Sequence, residues 1–133
     1  MKTNVAAIAL LFVLPYFGVQ ANEQDTAFEK IAKDYIEGFL ASHPEAATQL
    51  GDHRFDDRLT DYSPSNRDRL LAREKQFMVA LKDFEDPSKL SGPNQVDVRI
   101  LRENVEGRIF ELAELKEADW NPLVYNESLA NSL

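Results

Sequence analysis

The chain has 133 residues, of which 44% are hydrophobic and 29% charged, a composition typical of a globular protein of one domain or less. Its formal net charge of -8 argues against binding to nucleic acids or to anionic membranes, since both need a basic surface. Cysteine is absent, which excludes disulfides, thiol nucleophiles, cysteine metal ligands and a lipid-modified N-terminal cysteine.

Residues 1–21 have the pattern of a secretory signal peptide. Lys2 supplies the positive start, Val5 to Val19 is almost entirely apolar, and Val19-Gln20-Ala21 places small or medium residues where a signal peptidase reads. The apolar run is about 15 residues long, shorter than the roughly 20 that span a bilayer. We therefore predict cleavage after Ala21 and a periplasmic or secreted mature chain, residues 22–133, with no membrane segment.

The mature chain begins with a predicted amphipathic helix capped by Asn22. Its apolar residues recur at intervals of three and four along one helical face: Phe28, Ile31, Ala32, Tyr35, Ile36, Phe39 and Leu40. Because the residue before a proline is pushed out of the α region, Pro44 should end this helix near Ser42. We expect a short second helix from Pro44 to Leu50, ended by Gly51 in a left-handed conformation.

The stretch from His43 to Ser63 is dense in ionisable and aromatic residues and has no sustained apolar period. From Asp52 to Tyr62 we expect an ordered loop with Phe55, Leu59 and Tyr62 inserted into the core. His43 precedes a proline and is interpreted as a residue that ends a helix.

Two more long helices are predicted. Ser63 and Pro64 are a cap and first residue for a helix to about Glu85, with the stripe Leu70, Leu71, Phe77, Met78, Leu81 and Phe84. The next helix should be capped by Asn94, and Gly107 within it suggests close packing of a neighbour. Its apolar seam is Val98, Leu101, Val105, Ile109, Leu112 and Leu115, widened by Ile100 and Phe110.

The end of the chain looks like a helix that has just begun. Asn126 is predicted to cap a helix from Glu127 to Leu133, and a helix this short is marginal in water without packing. No run of alternating β-branched residues indicates a strand. The predicted fold class is therefore all-α, with three long amphipathic helices, short helices and a long ordered loop, as a partial domain of a larger helical protein.

The order of a helix, HPEAATQLGDHRFDDRLTDYS, two long helices and ADWNPLVYNESLANSL resembles the N-terminal part of the domain-of-unknown-function 885 (DUF885) family of secreted bacterial proteins. Ala47 to Ser63 and Trp120 to Tyr125 carry the resemblance most specifically. It implies a mostly helical, zinc-metallopeptidase-like parent whose zinc-binding His-Glu-x-x-His helix lies far towards its C-terminus. Neither of the two histidines, His43 and His53, has that arrangement, so no catalytic, cofactor or zinc-binding residue is assigned here.

Two groups of residues are candidate sites. Asp52, His53 and Asp56 combine carboxylates with an imidazole and are candidate metal ligands, although the neighbouring Arg54 and Arg58 favour a solvated polar loop. The turn with Trp120, Asn121 and Tyr125 is a candidate substrate-facing surface. The alternative is that its rings pack on the helices and that Asn121 organises the turn.

Two functional hypotheses follow. In the first, the chain is the non-catalytic helical region of an exported zinc-metallopeptidase-like protein and forms part of the wall or lid of a substrate channel. Its partners are then the remainder of the parent chain and a peptide substrate, and zinc belongs to the full-length parent. In the second, the chain is a stand-alone exported helical module that binds a protein or peptide. No motif in the sequence decides whether the chain takes part in an enzyme.

Overall fold

The computed structural model of this protein describes residues 22–131. The predicted signal peptide lies outside the described residues, so its cleavage after Ala21 stays a prediction. The described part contains no strand, which confirms the all-α class. Its α-helices are α1 (Glu23–Ser42), α2 (Pro44–Gln49), α3 (Pro64–Ala80), α4 (Gly92–Phe110) and α5 (Leu123–Asn131). Within residues 22–131 no helix has the length and apolar character needed to cross a bilayer.

The first two helices have the ends that the sequence predicts. The side chain of Asn22 caps α1 by accepting from the backbone N–H of Gln24 at 3.1 Å. This helix ends at Ser42, before Pro44 begins α2. Gly51 follows α2 with a φ of 85°, the left-handed conformation that glycine adopts without strain.

Helix α3 starts as predicted but ends early. Ser63 caps it by accepting from the N–H of Asn66 at 3.3 Å. The α-helix stops at Ala80 rather than near Glu85, and the chain continues as a 3-10 turn, Leu81–Phe84. Residues three apart lie on the same side of a 3-10 turn. The tighter turn thus buries both Leu81 and Phe84 in the core.

The predicted cap of α4 is wrong. The helix begins at Gly92 with Ser91 in the cap position, and Asn94 lies in its first turn. The amide of Asn94 is directed to α1 instead, where Nδ2 donates to Asp25 at 2.9 Å and to Glu29 at 3.2 Å. The side chain of Asn94 therefore joins α4 to α1 instead of capping its own helix.

The close packing predicted at Gly107 is also wrong, because no neighbouring element in the described part of the chain comes within 4 Å of the position of an added Cβ. Close approach occurs at Gly38 of α1, where a Cβ would overlap the guanidinium of Arg73. Arg73 lies across the helix at this point and donates to the carbonyl of Asp34 at 3.0 Å.

The three long helices share one apolar core. Its buried members are Phe28, Tyr35, Leu81, Phe84, Leu90, Val98, Leu101 and Val105. Helices α1 and α4 run in the same direction through it, since Asp25 contacts Asn94 at one end and His43 contacts Arg108 at the other. An edge-to-face ring contact joins α1 to the 3-10 turn that follows α3, between Phe28 and Phe84 at 5.6 Å.

Several apolar residues predicted to be buried are exposed. Ile36 of α1 and Ile100 and Phe110 of α4 are 52–59% exposed, because they lie at the edges of their stripes and no described element covers them. Leu59 is 58% exposed. The loop at this point is held by the next residue, since Thr60 donates from N and Oγ1 to the carboxylate of Glu45 at 3.0 and 2.6 Å.

The last helix begins earlier than predicted. Helix α5 starts at Leu123 rather than after Asn126. The side chain of Asn121 accepts from the N–H of Leu123 at 3.0 Å and so organises the turn before the helix. Before this turn, α4 continues through a π-helical turn, Glu111–Leu115, and ends at Lys116 with a φ of 46°.

Candidate functional site

Four ionisable side chains from three helices meet at one end of the core. We call them the polar cluster: Tyr35 of α1, His43 at the end of α1, Glu74 of α3 and Arg108 of α4. Buried ionisable groups with shifted pKa values are concentrated at functional sites, although structural networks also produce them. The polar cluster is therefore the candidate site of the described region.

The contact between His43 and Arg108 fixes the protonation of the imidazole. Arg108 Nη2 lies 3.2 Å from His43 Nε2, and a guanidinium can only donate. His43 Nε2 therefore accepts, and the proton is on Nδ1, which donates to the carbonyl of Phe39 at 3.0 Å. Burial lowers the pKa of His43, with the charge of Arg108 adding to the effect. The ring is thus held neutral, stacked on Phe39 at 4.4 Å.

Glu74 is an incompletely satisfied member of the cluster. Its side chain is buried, and Oε2 has no hydrogen-bond partner within residues 22–131. Burial raises the pKa of Glu74, while the charges of Arg108 and Arg73 oppose that increase. Burial and the nearby Glu74 carboxylate raise the pKa of Tyr35 to about 12. The tyrosine is therefore neutral and can donate towards the carboxylate.

Arg108 links the cluster to two concave regions. Nη1 donates to Glu111 at 2.7 Å, whereas Nε is buried without a partner among the described residues. On one side lies a groove of about 460 Å³ between α1 and α4. On the other side lies a cavity of about 260 Å³, whose lining includes His43, Arg67, Glu111 and Glu117. Both regions place charged groups beside apolar surface, as ligand-binding clefts do.

The predicted metal ligands are arranged as surface ion pairs. Asp52 is bound by Arg54, whose Nη2 lies 2.6 Å from Oδ2, and this hydrogen-bonded pair lowers the pKa of Asp52 to about 2. His53 Nδ1 lies 2.9 Å from Asp56, which also accepts from Thr48 at 2.6 Å. Within residues 22–131 no three His, Cys, Asp or Glu side chains lie together as metal ligands would. The structure thus does not combine Asp52, His53 and Asp56 into one site.

The predicted substrate-facing turn is held by its own hydrogen bonds. Trp120 is 62% exposed and donates from Nε1 to the carbonyl of Leu115 at 2.9 Å. Tyr125 donates to the carbonyl of Ala118 at 2.9 Å and packs its ring edge on Tyr62. Trp120, Asn121 and Tyr125 do not line the 260 Å³ cavity, but their neighbours Glu117, Ala118 and Val124 do.

A comparison with protein families now identifies the chain. The model described as "Bacterial protein of unknown function (DUF885)" matches residues 44–132, which is more than half of the chain. The chain belongs to the DUF885 family. No curated protein and no solved structure matches it. The match contains Glu74 and Arg108, whereas α1, with Tyr35 and His43, lies before it.

None of the four members of the polar cluster was predicted as a site residue by the sequence analysis of this DUF885 chain. Tyr35 was placed in an apolar stripe and His43 was interpreted as the end of a helix. Glu74 and Arg108 were not named.

Glu74 stands in the buried stripe of α3, four residues after Leu70 and seven before Leu81. Arg108 stands in the seam of α4, seven residues after Leu101. A charged residue at an apolar stripe position is a signal of a buried polar contact, and it was available in the sequence.

Proposed function

We propose that this chain is a helical wall of an exported, zinc-metallopeptidase-like DUF885 protein, which packs against further polypeptide and borders the substrate channel. Its role is non-catalytic: it encloses a peptide substrate and positions the polypeptide that carries the chemistry. The family match supports the DUF885 part of this proposal, because it extends from α2 to α5.

The observation that carries the proposal is the apolar surface between α1 and α4. Ile36 and Ile100 are 56% and 52% exposed on opposite sides of the same groove. Burying apolar surface contributes about 25 cal/mol per Å², and a contiguous exposed patch marks an interaction surface. We infer that further polypeptide covers this groove in the working protein.

The histidines of this chain do not fit a zinc ion. In His43, Nε2 accepts from Arg108 and Nδ1 donates to Phe39, so both nitrogens are occupied. His53 pairs with Asp56 on the surface, and it has no second histidine one helical turn away. Zinc ligands and a general base would therefore come from residues outside this chain, and no chemical step is assigned to it.

The alternative function is that of a stand-alone exported module that binds a protein or peptide. The observation that favours it is again the groove of about 460 Å³. Its lining residues run from Phe28 to Phe39 on α1 and from Asp97 to Arg108 on α4, a length over which a peptide helix could pack. The two functions differ in whether the occupant belongs to the same polypeptide.

The peptidase part is tested with the protein expressed from the complete gene. We expect it to hydrolyse internally quenched peptides, and we expect EDTA to abolish the activity. Trp120→Ala should raise KM several-fold with little change in kcat, since under this proposal the exposed ring contacts bound peptide and takes no part in the chemical step. Val79→Ala, which truncates an exposed residue of α3, is the matched control. Hydrolysis by residues 22–133 alone, or none by the complete product, would contradict the proposal.

Export is tested separately. When the complete gene is expressed in a bacterial host, the mature protein should be found in the periplasm or medium, and N-terminal sequencing should begin at Asn22. A cytoplasmic product that retains Met1 would show that the export prediction is wrong.

A further inference from the structure

The α1–α4 groove has a carboxylate at one end and the paired Arg108 at the other. Asp97 lines one end and Arg108 the other, with Ile36 and Ile100 between them. Asp97 and Arg108 are eleven positions apart on α4, which is about 16 Å at 1.5 Å per residue. Asn104 also lines the groove, but its amide donates to the carbonyl of Ile100 at 2.8 Å and is therefore directed at its own helix.

The acidic end of the groove is reinforced by α1. Asn94 of α4 holds the carboxylate of Glu29 at 3.2 Å, and Glu29 lies one residue after Phe28, which lines the groove. At the opposite end, Glu111 and His43 occupy Nη1 and Nη2 of Arg108, and Nε is buried where no incoming group can reach it. The carboxylates of Glu111 and Glu74 already compensate the charge of Arg108. The groove therefore favours a basic group at the Asp97 end.

An apolar groove between two helices restricts the backbone of its occupant. Peptide N–H and C=O groups buried there must be hydrogen-bonded, and the groove offers few donors and acceptors. An α-helix satisfies its own backbone groups and fits between two neighbouring helices at a spacing of about 8–10 Å. An extended segment would leave its peptide groups unpaired against Ile36 and Ile100.

We propose that the groove binds an amphipathic α-helix of about three to four turns, with Lys or Arg at the Asp97 end. Its apolar stripe packs on Ile36 and Ile100. This inference rests on the proposed function, in which further polypeptide of the same protein covers the groove, and it adds the chemistry and direction of the covering segment.

The inference is tested by photo-crosslinking in the protein made from the complete gene. p-Benzoylphenylalanine is placed at Ile100 on one wall of the groove and, as an independent position, at Ile36 on the other. The matched control is Glu106, which is exposed on the opposite side of α4. Both groove positions should crosslink to one segment with apolar residues at i, i+4 and i+7 and with Lys or Arg at the end nearest Asp97. Glu106 should not crosslink to it.

A charge exchange then tests the direction of the helix. Asp97→Lys should lower Tm, and reversing the basic residue of the crosslinked segment should do the same. The double reversal should restore Tm, since it rebuilds the pair with its signs exchanged. Two losses that simply add would overturn the assigned charge pairing.

The crosslinking outcomes separate this inference from the proposed function. A crosslink to an extended or wholly polar segment of the same polypeptide would overturn the helix and leave the wall function in place. Crosslinks only to a second copy or to another protein would overturn both. The same yield at Ile100, Ile36 and Glu106 would show that the groove has no specific occupant and would overturn the docking itself.

Discussion

Two regions of the molecule hold the same kinds of side chain and behave differently. The polar cluster contains a histidine, an arginine and a carboxylate from three helices, and the loop after α2 contains the same types within five residues. We call the loop group the surface cluster: Asp52, His53, Arg54 and Asp56. His53 and Arg54 have side chains that are 68% and 55% exposed, whereas Glu74 is buried.

The difference follows from the solvent around each group. Water screens the ion pairs of the surface cluster, so exposed pairs of this kind contribute little to stability. In the polar cluster the charged form of Glu74 has lost its hydration and depends on the nearby charges of Arg108 and Arg73. The stretch of sequence that is densest in ionisable residues is therefore the group that contributes less to stability.

The largest expected effect comes from removing one arginine. Arg108→Met should destabilise residues 22–133 by about 2–3 kcal/mol, because it leaves the buried Glu74 without its compensating charge and His43 without its partner. Arg54→Met in the surface cluster is the matched control and should shift the urea unfolding midpoint only slightly. Equal shifts in the two variants would remove the distinction between the regions.

The pH dependence of stability should next separate two members of the polar cluster. The pKa of His43 is lowered below 6.5 by burial, so the unfolded chain takes up the proton first and stability falls as pH decreases below that value. The pKa of Glu74 is raised above 4.5 by burial, so the unfolded chain loses its proton first and stability falls as pH increases through this range. The two contributions have opposite signs.

Urea midpoints between pH 4 and 8 measure both contributions. His43→Gln should remove the contribution of this histidine to the stability loss on acidification from neutral pH. Glu74→Gln should remove the contribution of this glutamate to the stability loss as pH rises from 4.5. The difference curves of the two variants from wild type should slope in opposite directions. Slopes of the same sign would show that at least one of the two environments is assigned wrongly.

A smaller effect is expected at alkaline pH. Because burial and the Glu74 charge raise the pKa of Tyr35 from 10.0 to about 12, stability is retained below pH 10 and is lost as pH rises through 12. Tyr35→Phe should lack this loss while it unfolds somewhat more easily at neutral pH. Absorbance of tyrosinate together with urea midpoints at pH 9 to 11.5 provides the measurement. Parallel alkaline losses in both proteins would speak against a buried Tyr35.

The smallest effect is expected from metal ions. Arg54 occupies both oxygens of Asp52, at 3.1 and 2.6 Å to Oδ2 and 2.8 Å to Oδ1, so this carboxylate is not free to join His53 and Asp56 around a cation. Calorimetric titration of residues 22–133 with micromolar zinc or calcium should therefore give no binding heat. Heat that disappears in His53→Gln would restore the metal-site interpretation of the surface cluster.

Features with local causes were predictable from the sequence. The start of α1 at its Asn22 cap, its end before Pro44 and the left-handed Gly51 each depend on residues a few positions away. Asn94 is the instructive failure. Its residue type is right for a cap, but the carboxylate that takes its amide lies 69 residues earlier in the chain.

The candidate site was predictable only in part for the same reason. Glu74 and Arg108 interrupt their apolar stripes, which indicates that something polar must meet them inside the fold. No local pattern tells which residues those are, because Tyr35 and His43 reach them from another helix. For Leu59 and Ile100 the error was the opposite one. Their apolar character predicted burial, but no described element covers them.

Helix α1 is fastened at both ends to the part of the chain that the family model recognises. At the start of α1, Asp25 accepts from the backbone N–H of Ser91 at 2.9 Å. At the other end of the helix, His43 contacts Arg108. Trimming the gene at residue 44, where the match begins, would therefore strip one side from Val98, Leu101 and Val105 and invite aggregation. Cloning boundaries for relatives of this protein are best set upstream of their first amphipathic helix rather than at the limit of the recognised domain.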